Sequence, residues 1–454
     1  MPGTLTLDGL RKLAKSGEID TVLVALVDMQ GRLMGKRFHV DDFLEHGVEE
    51  SHCCNYLLAT DLMMATPEGY AATSWRQGYG DYALKPDLDT LRPMPWLPGT
   101  ALVLCDVLDH HDHSPIAHSP RQILKAQIAR LAEMGYAATM ATELEFFLFE
   151  GDYRSLQKDG YRNLVPLNGF NEDYNLFQTT KEEPILRPLR NHLRAAGIPV
   201  ETTKGEAEMG QQELNIRHAP ALDCADNHTI AKQAIKESAW AAGCSASFLP
   251  KWAAGKFGSA GHVHMSLTKD GAPAFYEEGA EYGMSPLMQH FMAGVLEHAP
   301  EITYFLAPYV NSYKRFAPGT FAPTRTVWSV DNRTAGFRLC GANTKGVRVE
   351  CRVPGSDVNP YLAQAALLAA GIAGIEAELP LPDPSEGDAY ETKGVAEIPR
   401  TLRDATVTLR QSKMLRAAMG DAVVDHYTRA AEWEQEEFDR AVTDWEIARG
   451  FEQA

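Results

Sequence analysis

The chain has 454 residues, 44% apolar and 23% charged, enough to bury a large core in two domains or in one with an appendage. Disordered, collagenous and low-complexity architectures are excluded. Asp and Glu outnumber Lys and Arg by 61 to 43, a net charge of −18; this argues against nucleic acid as a partner and requires that any anionic substrate meet a local cluster of basic groups.

Residues 4–17 have the spacing of an amphipathic helix, with Leu7, Leu10, Leu13 and Ala14 on one face and Gly17 as its stop. Thr21–Asp28 reads as a buried strand and Gly31-Arg32 as a hairpin turn. The stretch 65–100, rich in Pro, Gly and aromatics, predicts a long loop with short strands, followed by a strand over Ala101–Val107. HHDHSPIAHSP then reads as a solvated interdomain linker; no Cys or carboxylate spacing supports a metal site on its four histidines. Domains are therefore expected at 1–112 and 113–454.

Ser119-Pro120 predicts an N-cap with proline at the first helical position, and Gly135 ends that helix. Ala138–Phe149 reads as a strand. Asn359-Pro360 repeats the cap signal ahead of a nearly all-apolar, buried helix. The last fifty residues are charged with helical period and predict an outer face. There are no internal repeats. The longest apolar stretch, Ala365–Ile375, is too short for the ~20 residues of a membrane span, no secretory leader is recognisable, and seven scattered cysteines without a C-x-x-C pair suit a reducing compartment. The expectation is a cytoplasmic protein with no membrane partner.

Four strands carry charge inward. In TELEFF, Glu143 and Glu145 leave one face while Leu144 and Phe146 take the other; such a pair needs a cation between its members or a solvated edge. In GEAEMGQQELNI, a bend at Gly210 lets Glu206 approach Glu213, unless the segment is an exposed acidic hairpin. In GSAGHVHMSL, His262, His264 and Ser266 share a face, behind a glycine-rich approach that admits a ligand. In RVECRV, Arg348, Glu350 and Arg352 share a face, unless the segment is a salt-bridged surface strand, and Lys314, Arg315, Arg333 and Arg338 lie upstream. Arginines converging on carboxylates are what phosphoryl transfer to an acid requires.

Five segments in register (TELEFF, GEAEMGQQE, GSAGHVH, NSYKRFAPG with DNRTAGFR, and VECRVPGSDVNPYL) resemble the glutamine synthetase family of ATP-dependent carboxylate–amine ligases, over nearly the whole chain. The resemblance implies an α+β protein with a small N-terminal β-grasp domain and a large catalytic domain built on a curved antiparallel sheet. It implies active sites between subunits of a homo-oligomer, a dodecamer of two hexameric rings. Carried over residue by residue, two or three Mg²⁺ or Mn²⁺ ions per site fall to Glu143, Glu145, Glu206, Glu213, His262 and Glu350. Glutamate falls to Gly258, Arg315 and Arg352, and ATP to His264, Ser266, Arg338, Lys345 and Arg348. The chemistry is assigned to Arg333, Glu206 and Asp61.

Two positions depart from the family pattern. Members that use ammonia carry an acidic residue in the flap P-G-x-E-x-P, where Pro318–Pro323 here has Phe321. Phe257 stands where the family has an Asn that contacts glutamate. An aromatic ring cannot attract ammonium by charge or act as a base, but it can pack on carbon. The expected activity is therefore an ATP-dependent, ADP-forming ligase that makes a γ-glutamyl amide from glutamate and a short primary amine: an alkylamine, an amino alcohol or an arylamine, in that order. A true glutamine synthetase, a silent structural homologue and a guanidino kinase are the alternatives. Tyr390, near the position of a regulatory tyrosine in some bacterial members, is expected in an ordinary surface loop without nucleotidylation.

Overall fold

A computed structural model describes residues 3–454. The first helix runs Leu7–Ser16, capped by Thr6 and stopped by Gly17 at φ 74°. Behind it, β1 (Thr21–Val27), β2 (Leu33–His39), β3 (Ser51–Cys54), β4 (Asp81–Pro93) and β5 (Thr100–Asp109) form a sheet in the order β2-β1-β5-β4-β3, parallel only between β1 and β5. The predicted hairpin turn is present, with Gly31 at φ 76°.

The expected long loop at 65–100 is half wrong, because β4 is thirteen residues long. Its prolines are tolerated by position. Strand β3 ends its pairing at Leu84, so Pro86 occupies an edge where no amide is required, and the β4/β5 register is interrupted between Asp87 and Arg92.

The second sheet is built from β6 (Ala137–Phe149), β7 (Val200–Gly205), β8 (Gln211–Ile216), β11 (Val263–Lys269), β13 (Trp328–Val330), β14 (Phe337–Cys340) and β15 (Arg348–Cys351), in the order β13-β14-β15-β11-β6-β8-β7. The short pieces β9 (Ala219–Pro220) and β10 (Ser245–Ser247) pair with β6, and β12 (Ala272–Pro273) with β11. Pairing is antiparallel throughout except between β13 and β14, which are parallel.

Helices cover one face of this sheet. Leu144, Phe146 and Leu148 pack with Leu186, Leu189 and Leu193 from the helix Glu183–Ala195 and with Ile230 and Ile235 from Ala221–Ala241. Val349, Cys351 and Met265 pack on the buried helix Pro360–Glu376, which Asn359 caps as expected. The helix Pro120–Glu133 also forms where predicted, but Ser119 makes no side-chain cap bond. The penultimate helix, Asp421–Arg440, is amphipathic, burying Val424, Tyr427 and Ala431.

The histidine linker is solvated only in part. His113 pairs with Glu50 at the surface, whereas His118 is stacked on His426 with ring centroids 4.2 Å apart. Arg121, just beyond it, reaches Asp87 and Asp106 of the first sheet at 2.6 Å each and Asp226 of a catalytic-side helix at 3.1 Å. Tyr390 is also not a surface-loop residue: it is 8% exposed, and its hydroxyl donates to the Ala322 carbonyl at 3.1 Å.

Candidate active site

Strand register gathers the charged residues. Glu145 of β6 lies opposite Glu213 of β8, which lies opposite Lys204 of β7. His264 of β11 lies opposite Glu350 of β15, and Glu350 opposite Arg338 of β14. The Glu143 amide donates to the His262 carbonyl at 3.0 Å, which sets His262 beside that carboxylate. Because side chains alternate across a strand, all of these leave the sheet face turned away from the helices.

The six expected metal ligands fall into two groups of three whose ligand atoms lie within 4.8 Å of one another: Glu143, His262 and Glu350, and Glu145, Glu206 and Glu213. The sharp turn at Gly210, φ 69°, brings Glu206 back toward Glu213 as its spacing predicted. His264, Cys340 and Glu350 also come within that distance, a grouping the sequence did not suggest.

The two carboxylate groups differ electrostatically. Burial raises the pKa of Glu143, but hydrogen bonds from His262 and His264, 2.8 and 2.9 Å away, outweigh it and hold the carboxyl well below the usual range. Glu350, also buried, is held at about 2 by Arg352, with His262 and His264 adding to the effect, and it accepts from Arg338 at 3.0 Å. The second group lacks such support. Burial and Glu206 push Glu145 up to about 8; burial, then Glu143, Glu206 and Glu145, push Glu213 up to about 9. Mutual repulsion is thus concentrated in the second group, where a divalent cation would relieve it. Oxygen donors with one imidazole fit Mg²⁺ or Mn²⁺.

Two cavities meet over this face. One, of about 220 Å³, is lined by Glu143 and His262 of the first group, by all three residues of the second, and by Gly258, Phe257, Phe321, Arg333, Arg338 and Arg352, while Glu350 is buried behind it. The other, of about 970 Å³, is lined by His264, Ser266, Lys345 and Arg348, four of the five expected nucleotide residues; the fifth, Arg338, lines the smaller cavity instead. Glu143, Glu213, Lys204 and Tyr174 line both. Lys204 pairs with Glu206 and, at 3.3 Å, with Asp173, and stands 4.5 Å from the Tyr174 ring centroid. Sequence reasoning missed Lys204; a lone lysine in the acidic run TTKGEAE was the available signal. It missed Gln211 too, which donates to Glu145 at 3.1 Å and to the Gly258 carbonyl at 3.1 Å.

The remaining candidates are placed as follows. A Cβ on Gly258 would lie 2.5 Å from the Pro250 carbonyl oxygen and 2.6 Å from Arg315 Cγ, so only glycine fits. Arg315 is 3% exposed beneath it and donates through Nη2 to the carbonyls of Arg352, Val353 and Pro354, so it supports the cavity floor and does not line it. Asp61 stands outside both cavities: its Oδ1 accepts from the amides of Met63 and Ala65 at 2.8 Å, and its Oδ2 from Trp433 Nε1 at 2.9 Å. Phe321, half exposed at the rim, stacks on Phe257 with centroids 6.3 Å apart and planes at 27°.

A sheet face with paired oxygen-rich cation sites, joined to a larger cavity edged by cationic residues, is the arrangement of a metal-dependent phosphoryl-activating ligase. Residues 117–450 match the family model described as glutamine synthetase, catalytic domain, and the chain belongs to that family. A γ-glutamylethanolamide synthetase of Streptomyces coelicolor is 47% identical over 99% of this chain and 96% of its own. A glutamate–isopropylamine ligase of a Pseudomonas species is 35% identical over 97% and 96%. Among solved structures, GmaS in complex with ADP superposes with a TM-score of 0.85 at 26% identity, covering 97% of this chain and 99% of that one.

Proposed function

We propose that this protein uses ATP to join the γ-carboxylate of glutamate to a short primary organic amine, releasing ADP and phosphate. The observation that carries the reading is the Phe257–Phe321 stack at the rim of the cation-site cavity, where an ammonia-using relative of the resembling pattern carries an acid. The name of the 47% relative supports an amino alcohol such as ethanolamine, moving it ahead of the alkylamine expected from the sequence.

The chemistry is a problem of charge. A carboxylate oxygen attacks the γ-phosphoryl group of ATP, forming an acyl C–O–P link as the bond to ADP breaks. Both partners are anions. Divalent ions on the two ligand groups would supply Lewis-acid charge neutralisation. The chain's own share is cationic: Arg333, Arg338 and Arg352 face the smaller cavity, Lys345 and Arg348 the larger, and Lys204 both. The amine then attacks the activated acyl carbon, phosphate leaves, and the amide nitrogen loses a proton. The flap excludes water, which would otherwise hydrolyse the acyl phosphate. The aromatic pair gives the amine's carbon an apolar surface at roughly 0.8 kcal/mol per buried methylene.

The same proposal places the boundary between domains at residues 112 and 113 and assembles the chain as a homo-oligomer, two stacked hexameric rings, in the cytoplasm. Asp61 would serve a neighbouring subunit's site, consistent with its place outside the two cavities of its own chain's site. Among the described residues no helix is long and apolar enough to cross a membrane. Phosphate release with glutamate, ATP and a panel of ammonium, ethylamine, isopropylamine, ethanolamine and putrescine tests the reading. A wild-type enzyme with highest kcat/KM for ammonium would make Phe321 mere packing and the activity that of a glutamine synthetase.

A further inference from the structure

Phe321 holds a left-handed backbone conformation, φ 56°, that an aromatic L-residue rarely adopts. Such a conformation persists only where its surroundings fix it. On the following residue, the Ala322 carbonyl accepts the Tyr390 hydroxyl at 3.1 Å, with Ala322 1% and Tyr390 8% exposed. On the preceding residue, Thr320 Oγ1 donates to the Ala317 carbonyl at 2.6 Å. Burial raises the pKa of the Tyr390 phenol, so it keeps the proton it donates; Asp388 acts in the same direction, while Arg352 and the Thr320 backbone oppose.

Tyr390 is itself anchored. It stands in the turn Ala389–Glu391, where Asp388 Oδ1 accepts from its amide at 3.0 Å. The Ala389 amide donates to Thr334 Oγ1 at 3.0 Å, and Asn332 Nδ2 to the Gly387 carbonyl at 2.7 Å. Asn332 and Thr334 flank Arg333. One buried turn therefore ties down both the flap and the loop that carries a cation of the cavity.

We infer that Tyr390 is a positioning residue for amine selection: its hydroxyl holds the Pro318–Pro323 flap so that the strained Phe321 presents its ring beside Phe257. This rests on the reading of Phe321 as an amine-facing residue. Tyr390 touches no substrate, so its effect must pass through the flap. Losing one neutral hydrogen bond corresponds to roughly a fivefold to tenfold change.

The test is a cycle of Tyr390→Phe, Phe321→Ala and the double variant, assayed with ethanolamine. Tyr390→Phe should raise the ethanolamine KM about fivefold to tenfold, leaving KM for ATP and glutamate within about twofold. In the Phe321→Ala background the same change should do nothing further to the amine KM. Equal rises in all three KM values, or a Tyr390→Phe effect that persists without the ring, would show a merely structural role and overturn the inference. If Phe321→Ala moves the amine KM and Tyr390→Phe does not, only this inference falls. If Phe321→Ala itself leaves the amine KM unchanged, the reading of Phe321 falls and takes this one with it.

Discussion

The rings of Phe257 and Phe321 lie stacked, 6.3 Å between centroids, although 64 positions separate them in the chain. Each is a departure from the family pattern, and the structure makes them a single feature. The Phe257 amide is held by Glu208, which also pairs with Lys256, so the loop end of the stack is anchored.

Phe321→Glu should therefore reverse the preference of the site. A carboxylate at the rim attracts ammonium and removes the apolar face. We expect kcat/KM for ammonium to rise by about ten- to a hundredfold and that for ethanolamine to fall. Steady-state kinetics with both amines on wild type and variant decide it. A variant that loses both activities equally would place Phe321 in flap packing alone.

The two ligand groups should respond oppositely to neutralisation. Glu350 is fully buried between Arg338 and Arg352, so Glu350→Ala strands Arg352, while Arg338 keeps Asp331, and should cost about 3–5 kcal/mol as well as abolishing activity. Glu213→Gln removes a repelled carboxylate and should leave the metal-free protein as stable or more so, while abolishing the melting shift produced by Mg²⁺. The raised pKa of Glu213 adds a pH signature. Folded metal-free protein retains a proton there that the unfolded chain sheds above its ordinary carboxylate pKa, so stability from this group falls as pH rises toward 9. The Mg²⁺-induced shift should consequently grow between pH 7 and 9 in wild type and not in Glu213→Gln.

Arg121 joins the first sheet to the helix Ala221–Ala241. Its side chain is 3% exposed and satisfies Asp87, Asp106 and Asp226 together. Arg121→Ala removes the ion-pair partner of the buried Asp226, which keeps the Tyr361 hydroxyl at 2.6 Å, and should cost about 3–5 kcal/mol. Denaturant unfolding would read the loss. A change below 1 kcal/mol would mean that Lys125, which also pairs with Asp106, carries the junction.

Much of the site was legible because strand periodicity is strict. Glu143 with Glu145, and Arg348 with Glu350 and Arg352, could be assigned to shared faces from spacing alone, and the resemblance supplied which strands meet. What spacing cannot convey is the partner across the sheet. Lys204 looked unremarkable until register set it opposite Glu213, and spacing put Arg352 on Glu350's face but could not show Arg338 opposite it. Arg315, assigned to glutamate by the resemblance, shows another limit: three carbonyls converge on its guanidinium, which no spacing reveals. Strand β4 was hidden by prolines that are harmless only at an edge, and Tyr390 by a polar segment whose burial depends on the flap it supports.

The junction between the linker and the penultimate helix should make the fold acid-sensitive. His118 stacks on His426 and lies 3.0 Å from the Tyr82 hydroxyl; His426 Nε2 donates to the Leu58 carbonyl at 2.7 Å. Burial lowers the pKa of His118 to about 4 and, with His118 beside it, that of His426 well below its ordinary value. Both rings thus stay neutral in the folded protein while the unfolded chain protonates them near pH 6.5. The sign follows from proton uptake: the unfolded state binds more protons, so stability is full above about pH 6.5 and is lost as pH falls toward 4, by on the order of 3 kcal/mol for His118 alone. Carboxylates titrate in the lower part of that window, so a comparison is needed. His118→Phe keeps a ring against His426 and removes one titrating group. Urea unfolding at pH 7.5, 6.5, 5.5 and 4.5 should show the variant losing less stability than wild type across the range, whatever its starting value. Parallel curves would mean that carboxylates, not this histidine pair, set the acid limit.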